Sequence, residues 1–140
     1  MTPAAAEVAG GGGVCSAAHA GWLATPLRRL LEWVRDGARA AGLEGRITMQ
    51  PCATDTLGEL PPADAALAFW MVHEVPDVAR FLGEVAGALK RGGRFLLVEP
   101  RGHVSGRAFA ATVELATAAG LRPTATSHVR LSRTTMFEKG

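Results

Sequence analysis

Eight consecutive apolar residues, Ala65 to Val72, constrain this chain more than anything else in it. The run shows no polar–apolar alternation, which suits a strand buried on both faces of a parallel sheet. A buried helix shares the pattern, and periodicity alone does not separate the two. The downstream residues favour the strand. Val78, Phe81, Leu82, Val85 and Leu89 line one face of a helix predicted over Pro76 to Lys90. Pro76 and Asp77 suit its start, Lys90 and Arg91 its negative end, and Gly92-Gly93 its stop. A second apolar run, Phe95 to Val98, comes next and is closed by Glu99-Pro100. Ser105 then caps a helix reaching Ala119, with Val104 and Phe109 placed as a hydrophobic staple and Gly120 as its stop. Arg122 to Lys139 reads as two strands joined around Leu131-Ser132, which a tight turn makes antiparallel.

Upstream, Leu27, Leu30, Leu31, Val34 and Ala38 recur at helical spacing between Leu23 and Ala41. Thr25 and Pro26 suit the start of this helix and Gly42 its end, while Gly37 weakens its middle. Ile47 to Gln50 is a short strand, and 51–64 a loop containing Pro61-Pro62. Strands alternating with helices argue an α/β fold with a mainly parallel sheet, helices on both faces and a C-terminal antiparallel hairpin. Residues 1–20 are rich in alanine and glycine and are expected to be flexible, ahead of a single domain over 21–140.

Composition narrows the partners. The net charge is only +2 and the basic residues are scattered, so nucleic acid is not an expected partner. No apolar run approaches membrane-spanning length, and nothing resembles a secretion signal. Cys15 and Cys52 lack metal-site spacing and read as reduced thiols of a cytoplasmic protein. Trp22, Trp33 and Trp70 read as core or interface anchors.

From Ala63 onward the chain resembles class I S-adenosylmethionine-dependent methyltransferases. The resemblance rests on Asp64-Ala65-Ala66-Leu67-Ala68-Phe69, His73-Glu74-Val75-Pro76-Asp77 and Leu89-Lys90-Arg91-Gly92-Gly93-Arg94. Phe95-Leu96-Leu97-Val98-Glu99-Pro100 and the hairpin Arg130-Leu131-Ser132-Arg133 complete it. It is strongest to small members with the His-Glu-Val-Pro variant, although Arg91 stands where the family commonly has proline. Ala41 to Thr48 looks like the family's approach to strand three, and Gly21 to Leu30 like the N-terminal helix of those small members.

The resemblance implies a Rossmann-like fold with S-adenosylmethionine as cofactor. It also implies a strand, a Gly-x-Gly-x-Gly loop, a helix and a second strand between those two upstream pieces, which here nearly abut. The expectation is a truncated fold with the glycine-loop segment deleted. An alternative takes Glu7-Val8-Ala9-Gly10-Gly11-Gly12-Gly13 as the loop, with Ala9 for its first glycine and Glu32 as the ribose acid. No good strand precedes Glu7, and glycine runs are more often linkers. Loss of the central strand would leave Ala65 to Val72 with an open edge, so homodimerisation through that edge is expected.

Ligands of open α/β sheets sit outside the carboxyl ends of the strands. The resemblance places Cys52, Ala53 and Asp55 along the cofactor's adenine, and Phe69 and Trp70 beside the methyl donor. His73 is a candidate base for an acceptor's proton, histidine being the residue type suited to that work near neutrality. Glu74 could bind a cationic acceptor, while Glu99 and His103 could line the acceptor pocket. No metal site is demanded by their spacing. The leading expectation is a small-molecule methyltransferase or a diverged relative. The rivals are a non-catalytic interaction or dimerisation module that has lost cofactor binding, and a truncated product with little function.

Overall fold

The computed structural model describes residues 4–9, 13–17, 32–33, 35–46, 48–52 and 55–140. Seven strands form one sheet: β1 (Ala4–Ala9), β2 (Gly13–Ala17), β3 (Thr48–Cys52), β4 (Ala63–Phe69), β5 (Leu89–Pro100), β6 (Leu121–Ala125) and β7 (Ser132–Lys139). They lie in the order β3-β2-β1-β4-β5-β7-β6. β2 pairs with β3 and β4 with β5 in parallel, and the other four pairings are antiparallel. Traced across the sheet, β2, β3, β4, β5 and β6 point one way, and only β1 and β7 are reversed. The parallel character predicted from sequence therefore holds for strand direction, and the C-terminal hairpin is antiparallel as expected.

Residues 32–33 and 35–40 are helical, and 35–40 forms α1. It lies between two parallel neighbours, β2 and β3, as a crossover helix does. Gly42, at φ +70°, follows its end. The reading of Gly21 to Leu30 lies outside the described residues, as does Trp22. Trp33 is 80% exposed and belongs to no core.

Two expectations about the N-terminal segment are corrected. Residues 4–9 and 13–17, read as flexible, are β1 and β2, and Glu7 lies within a strand. The expected open edge of β4 is filled, because β1 pairs along it from Ala5 opposite Phe69 to Ala9 opposite Ala65. Backbone pairing on both sides outweighs the weak strand propensity of alanine and glycine. Only three residues separate β1 from β2, too few for a parallel crossover, so β1 must run against its neighbours.

β4 ends at Phe69, earlier than the apolar run suggests. Trp70 takes a left-handed backbone (φ +54°), and a 3-10 turn follows at Val72–Glu74. α2 (Val78–Ala88) is capped by Asp77, whose Oδ1 accepts from the Arg80 amide at 3.0 Å. It buries Phe81, Leu82, Val85 and Ala86. α3 (Gly106–Ala118) is capped by Ser105, whose Oγ accepts from the Ala108 amide at 3.1 Å. The two helices pack together on the sheet. Beneath them Phe95 and Phe137 stack at 5.7 Å, and both are fully buried with Leu82, Leu97 and Leu121. At the end of α2, Lys139 Nζ donates to the carbonyls of Ala86 and Leu89, the latter at 2.9 Å. That ties the last strand to carbonyls a helix terminus leaves open. No described helix is long and apolar enough to cross a membrane.

β5 is longer than predicted because the glycine pair lets the chain re-enter the sheet. Gly92 has φ +75°, and a Cβ on Gly93 would stand 2.7 Å from the Lys90 carbonyl oxygen and 3.3 Å from that of Asp64. Both obstacles are backbone and cannot rotate away. Gly93→Ala is expected to cost about 2 kcal/mol. A urea midpoint unchanged from wild type would contradict that close approach.

Candidate active site at the carboxyl edge of β4 and β5

The parallel pairing of β4 with β5 sets Phe69 beside Val98, so both strands deliver their following residues to one edge. The Trp70 amide donates to the Val98 carbonyl at 2.7 Å, turning the chain out of the sheet. Two residues on, the Val72 amide donates to Glu99 Oε1 at 2.8 Å. Glu99 Oε2 lies 2.5 Å from His73 Nδ1. Glu99 is 2% exposed, and both its oxygens are engaged. Its carboxylate therefore faces inward, behind the His73 ring.

A carboxylate facing Nδ1 fixes the ring proton on that nitrogen and leaves Nε2 as the open lone pair. The His73 side chain is 24% exposed, so a small molecule can reach it. Glu74 Oε1 lies 3.9 Å from His73 Nε2, beside the open nitrogen. The His103 ring lies parallel to that of His73, with centroids 5.9 Å apart and planes 4° off parallel. A tight turn carries it there, with the amides of His103 and Val104 both donating to the Pro100 carbonyl. Four sequence candidates, His73, Glu74, Glu99 and His103, thus come together. Among the described residues no group of three or more His, Cys, Asp and Glu could hold a metal ion.

Phe69 and Trp70 form the apolar flank. Their rings stack at 5.4 Å, and they remain 42% and 36% exposed. Trp70 Nε1 donates to Ser132 Oγ at 2.9 Å. Ser132, 4% exposed at the start of β7, is a site residue that sequence reasoning missed. It lies within a hairpin motif of the family, but no local pattern links a hairpin serine to a tryptophan sixty-two residues earlier.

The adenine-side candidates stand apart. Cys52 ends β3, three strand positions from β4. That is about 14 Å at ordinary strand spacing. Asp55 is exposed and lies 3.8 Å from the Arg80 guanidinium on α2. The neighbouring loop is pinned to the same helix, Thr56 Oγ1 and the Leu57 amide donating to the Glu84 carboxylate at 2.6 and 2.7 Å. Ala53 lies outside the described residues.

A family model described as "Methyltransferase domain" matches residues 10–97. The chain belongs to this methyltransferase-domain family. No curated protein matches the sequence. Solved structures with the same fold include an O-methyltransferase family 2 protein from Planctomyces limnophilus in complex with apigenin. It has a TM-score of 0.59 and 19% identity over 79% of this chain and 40% of its own. PigF with SAH gives 0.58 and 16%, over 93% of this chain and 43% of its own. The [4+2]-cyclase SpnF gives 0.59 and 21%, over 71% and 42%. The chain thus spans only about two-fifths of the length of these structures. At such identities the likeness concerns the fold.

The Glu99–His73 pair predicts a coupled stability effect. Glu99→Leu leaves the buried Val72 amide without an acceptor and should cost about 2–4 kcal/mol. In a double-mutant cycle read by urea denaturation, His73→Ala should cost less when Glu99→Leu is already present than alone, by about 1 kcal/mol or more. Strict additivity would show that the two side chains do not act as a pair.

Proposed function

We propose that the chain is an S-adenosylmethionine-dependent methyltransferase acting on a small molecule that carries a hydroxyl group. The observation that carries this reading is the buried Glu99 carboxylate on His73 Nδ1, which leaves Nε2 open at the carboxyl edge. That is the arrangement of an oriented general base. Membership of the methyltransferase-domain family and the O-methyltransferase fold relatives support it.

The edge suits the cofactor on one side. The open faces of Phe69 and Trp70 match a flat adenine and a cationic sulfonium. The strand ends Ala9 and Gly13 stand opposite Ala65 and Thr48, at the amino edge of the sheet. Phe69 and Trp70 would carry most of the hold, with Cys52 and Asp55 standing apart from them. S-adenosylmethionine supplies an electrophilic methyl group on sulfonium. His73 Nε2 accepts the hydroxyl proton as the acceptor oxygen becomes nucleophilic. Glu99 steadies the ring and its growing positive charge. Glu74 beside Nε2 and His103 over the ring face orient the acceptor, since such a displacement depends chiefly on alignment.

The second reading is a non-catalytic module, and one observation favours it. A three-residue link between β1 and β2 leaves no room there for the helix that follows the family's glycine loop. SpnF, named a cyclase, shares the fold, so the fold alone does not choose between the readings.

Isothermal titration with S-adenosylhomocysteine separates them. Measurable heat is expected with the folded protein, and none at millimolar ligand would overturn the enzyme reading. With labelled S-adenosylmethionine and a panel of phenols and alcohols, His73→Ala should lower turnover about 10²–10⁴-fold. The affinity for S-adenosylhomocysteine should stay unchanged, and a loss of that affinity instead would move His73 from base to binding residue.

A further inference from the structure

Two residues other than glycine have left-handed backbones among those described, Trp70 (φ +54°) and Leu131 (φ +59°). For a bulky side chain this conformation is disfavoured and persists only where the surroundings over-determine it. The two lie at opposite ends of one connection. Trp70 Nε1 donates to Ser132 Oγ, and Leu131 is the residue before Ser132. Ser132 Oγ in turn donates to the Arg130 carbonyl at 3.1 Å, which commits its proton and turns a lone pair to the indole. The hairpin is itself held to the end of β5. The Arg101 amide donates to the Leu131 carbonyl at 2.9 Å and Arg101 Nε to the Ser132 carbonyl at 3.0 Å. The Ser132 amide donates to the Val129 carbonyl at 3.1 Å. Ser132 is 4% exposed, whereas the indole-bearing Trp70 is 36% exposed.

A buried, fully engaged hydroxyl therefore fixes an exposed ring on a strained backbone. Glycine would adopt that backbone at no steric cost, so it is the contacts of the indole that offset the strain here. We propose that Ser132, at the start of β7, is the positioning residue that locks the Trp70 indole as a wall of the cofactor end of the site. Leu131 and Arg101 form the brace behind it. Ser132 touches no ligand and acts through Trp70. The ligand assignment rests on the methyltransferase reading, whereas the lock itself does not.

The test uses the full chain with Trp22→Phe and Trp33→Phe, which leaves Trp70 as the sole tryptophan. Its fluorescence anisotropy is read without ligand, and its quenching by S-adenosylhomocysteine gives an affinity. Ser132→Ala should free the indole and lower the anisotropy. It should weaken binding about three- to tenfold, the span of one hydrogen bond. Ser132→Thr, which keeps the hydroxyl, should restore both readouts, which a loss of fold would not allow. In Trp70→Phe, with affinity read by isothermal titration, adding Ser132→Ala should change it no further. Unchanged anisotropy in Ser132→Ala overturns the lock, and lowered anisotropy with unchanged affinity overturns its role in binding. If the parent binds no S-adenosylhomocysteine, the methyltransferase reading falls, and the anisotropy still decides whether Ser132 holds the ring.

Discussion

The parallel pairing of β4 with β5 is the contact on which the rest depends. Register from Ala65–Arg94 to Phe69–Val98 brings two strand ends to one level. Only then can Glu99, the residue after Val98, accept from the amide of Val72 and reach His73. A shift by one residue would reverse every side chain of one strand and carry Glu99 to the other face. Packing enforces the register, because Ala68, Phe95 and Leu97 are fully buried and Phe95 stacks on Phe137 of β7. A buried carboxylate is costly unless its hydrogen bonds are complete, and Glu99 has a partner on each oxygen. The same bonds that make its burial tolerable orient the imidazole.

The downstream half was legible because its signals are local. Ser105 caps a helix where the sequence placed its cap, Asp77 caps a helix that begins two residues later than expected, and Phe81, Leu82 and Val85 face inward as their spacing required. His73, Glu74, Glu99 and His103 were found by placing them after strands, since strand ends in such a sheet share an edge. Their division of labour was not legible. Whether a glutamate at a strand end faces a ligand or turns inward depends on what the neighbouring strand offers it. For Glu99 that offer is an amide and an imidazole from residues 72 and 73. Ser132 was hidden for a similar reason, its partner lying across the β4–β5–β7 stretch of the sheet.

The upstream half was not legible from composition, because topology overrides it there. Alanine and glycine argue for a flexible segment only when no neighbour wants their backbone. β4 carries a full row of amide and carbonyl groups on its second edge, and an unpaired buried edge costs more than ordering a short hairpin. Ala4–Ala9 supplies the missing partners.

That geometry separates two properties that the family's fold ordinarily joins. The proposed base needs only the ends of β4 and β5, where the buried Glu99 carboxylate meets the His73 imidazole. A glycine cradle needs a central strand running with β4, and β1 runs against it. On the proposed reading, aromatic surface is what the carboxyl edge offers a cofactor, and the rigidity of that surface becomes decisive. A free indole loses rotational freedom when it closes on a ligand, at a cost of order 1 kcal/mol for an immobilised side chain. An indole already held by Ser132 avoids that cost. The strained Trp70 backbone, its hydrogen bond to β7 and the reversed β1 are therefore physically linked. Where the usual cradle is displaced, preorganisation of the remaining wall sets how tightly any ligand can be held.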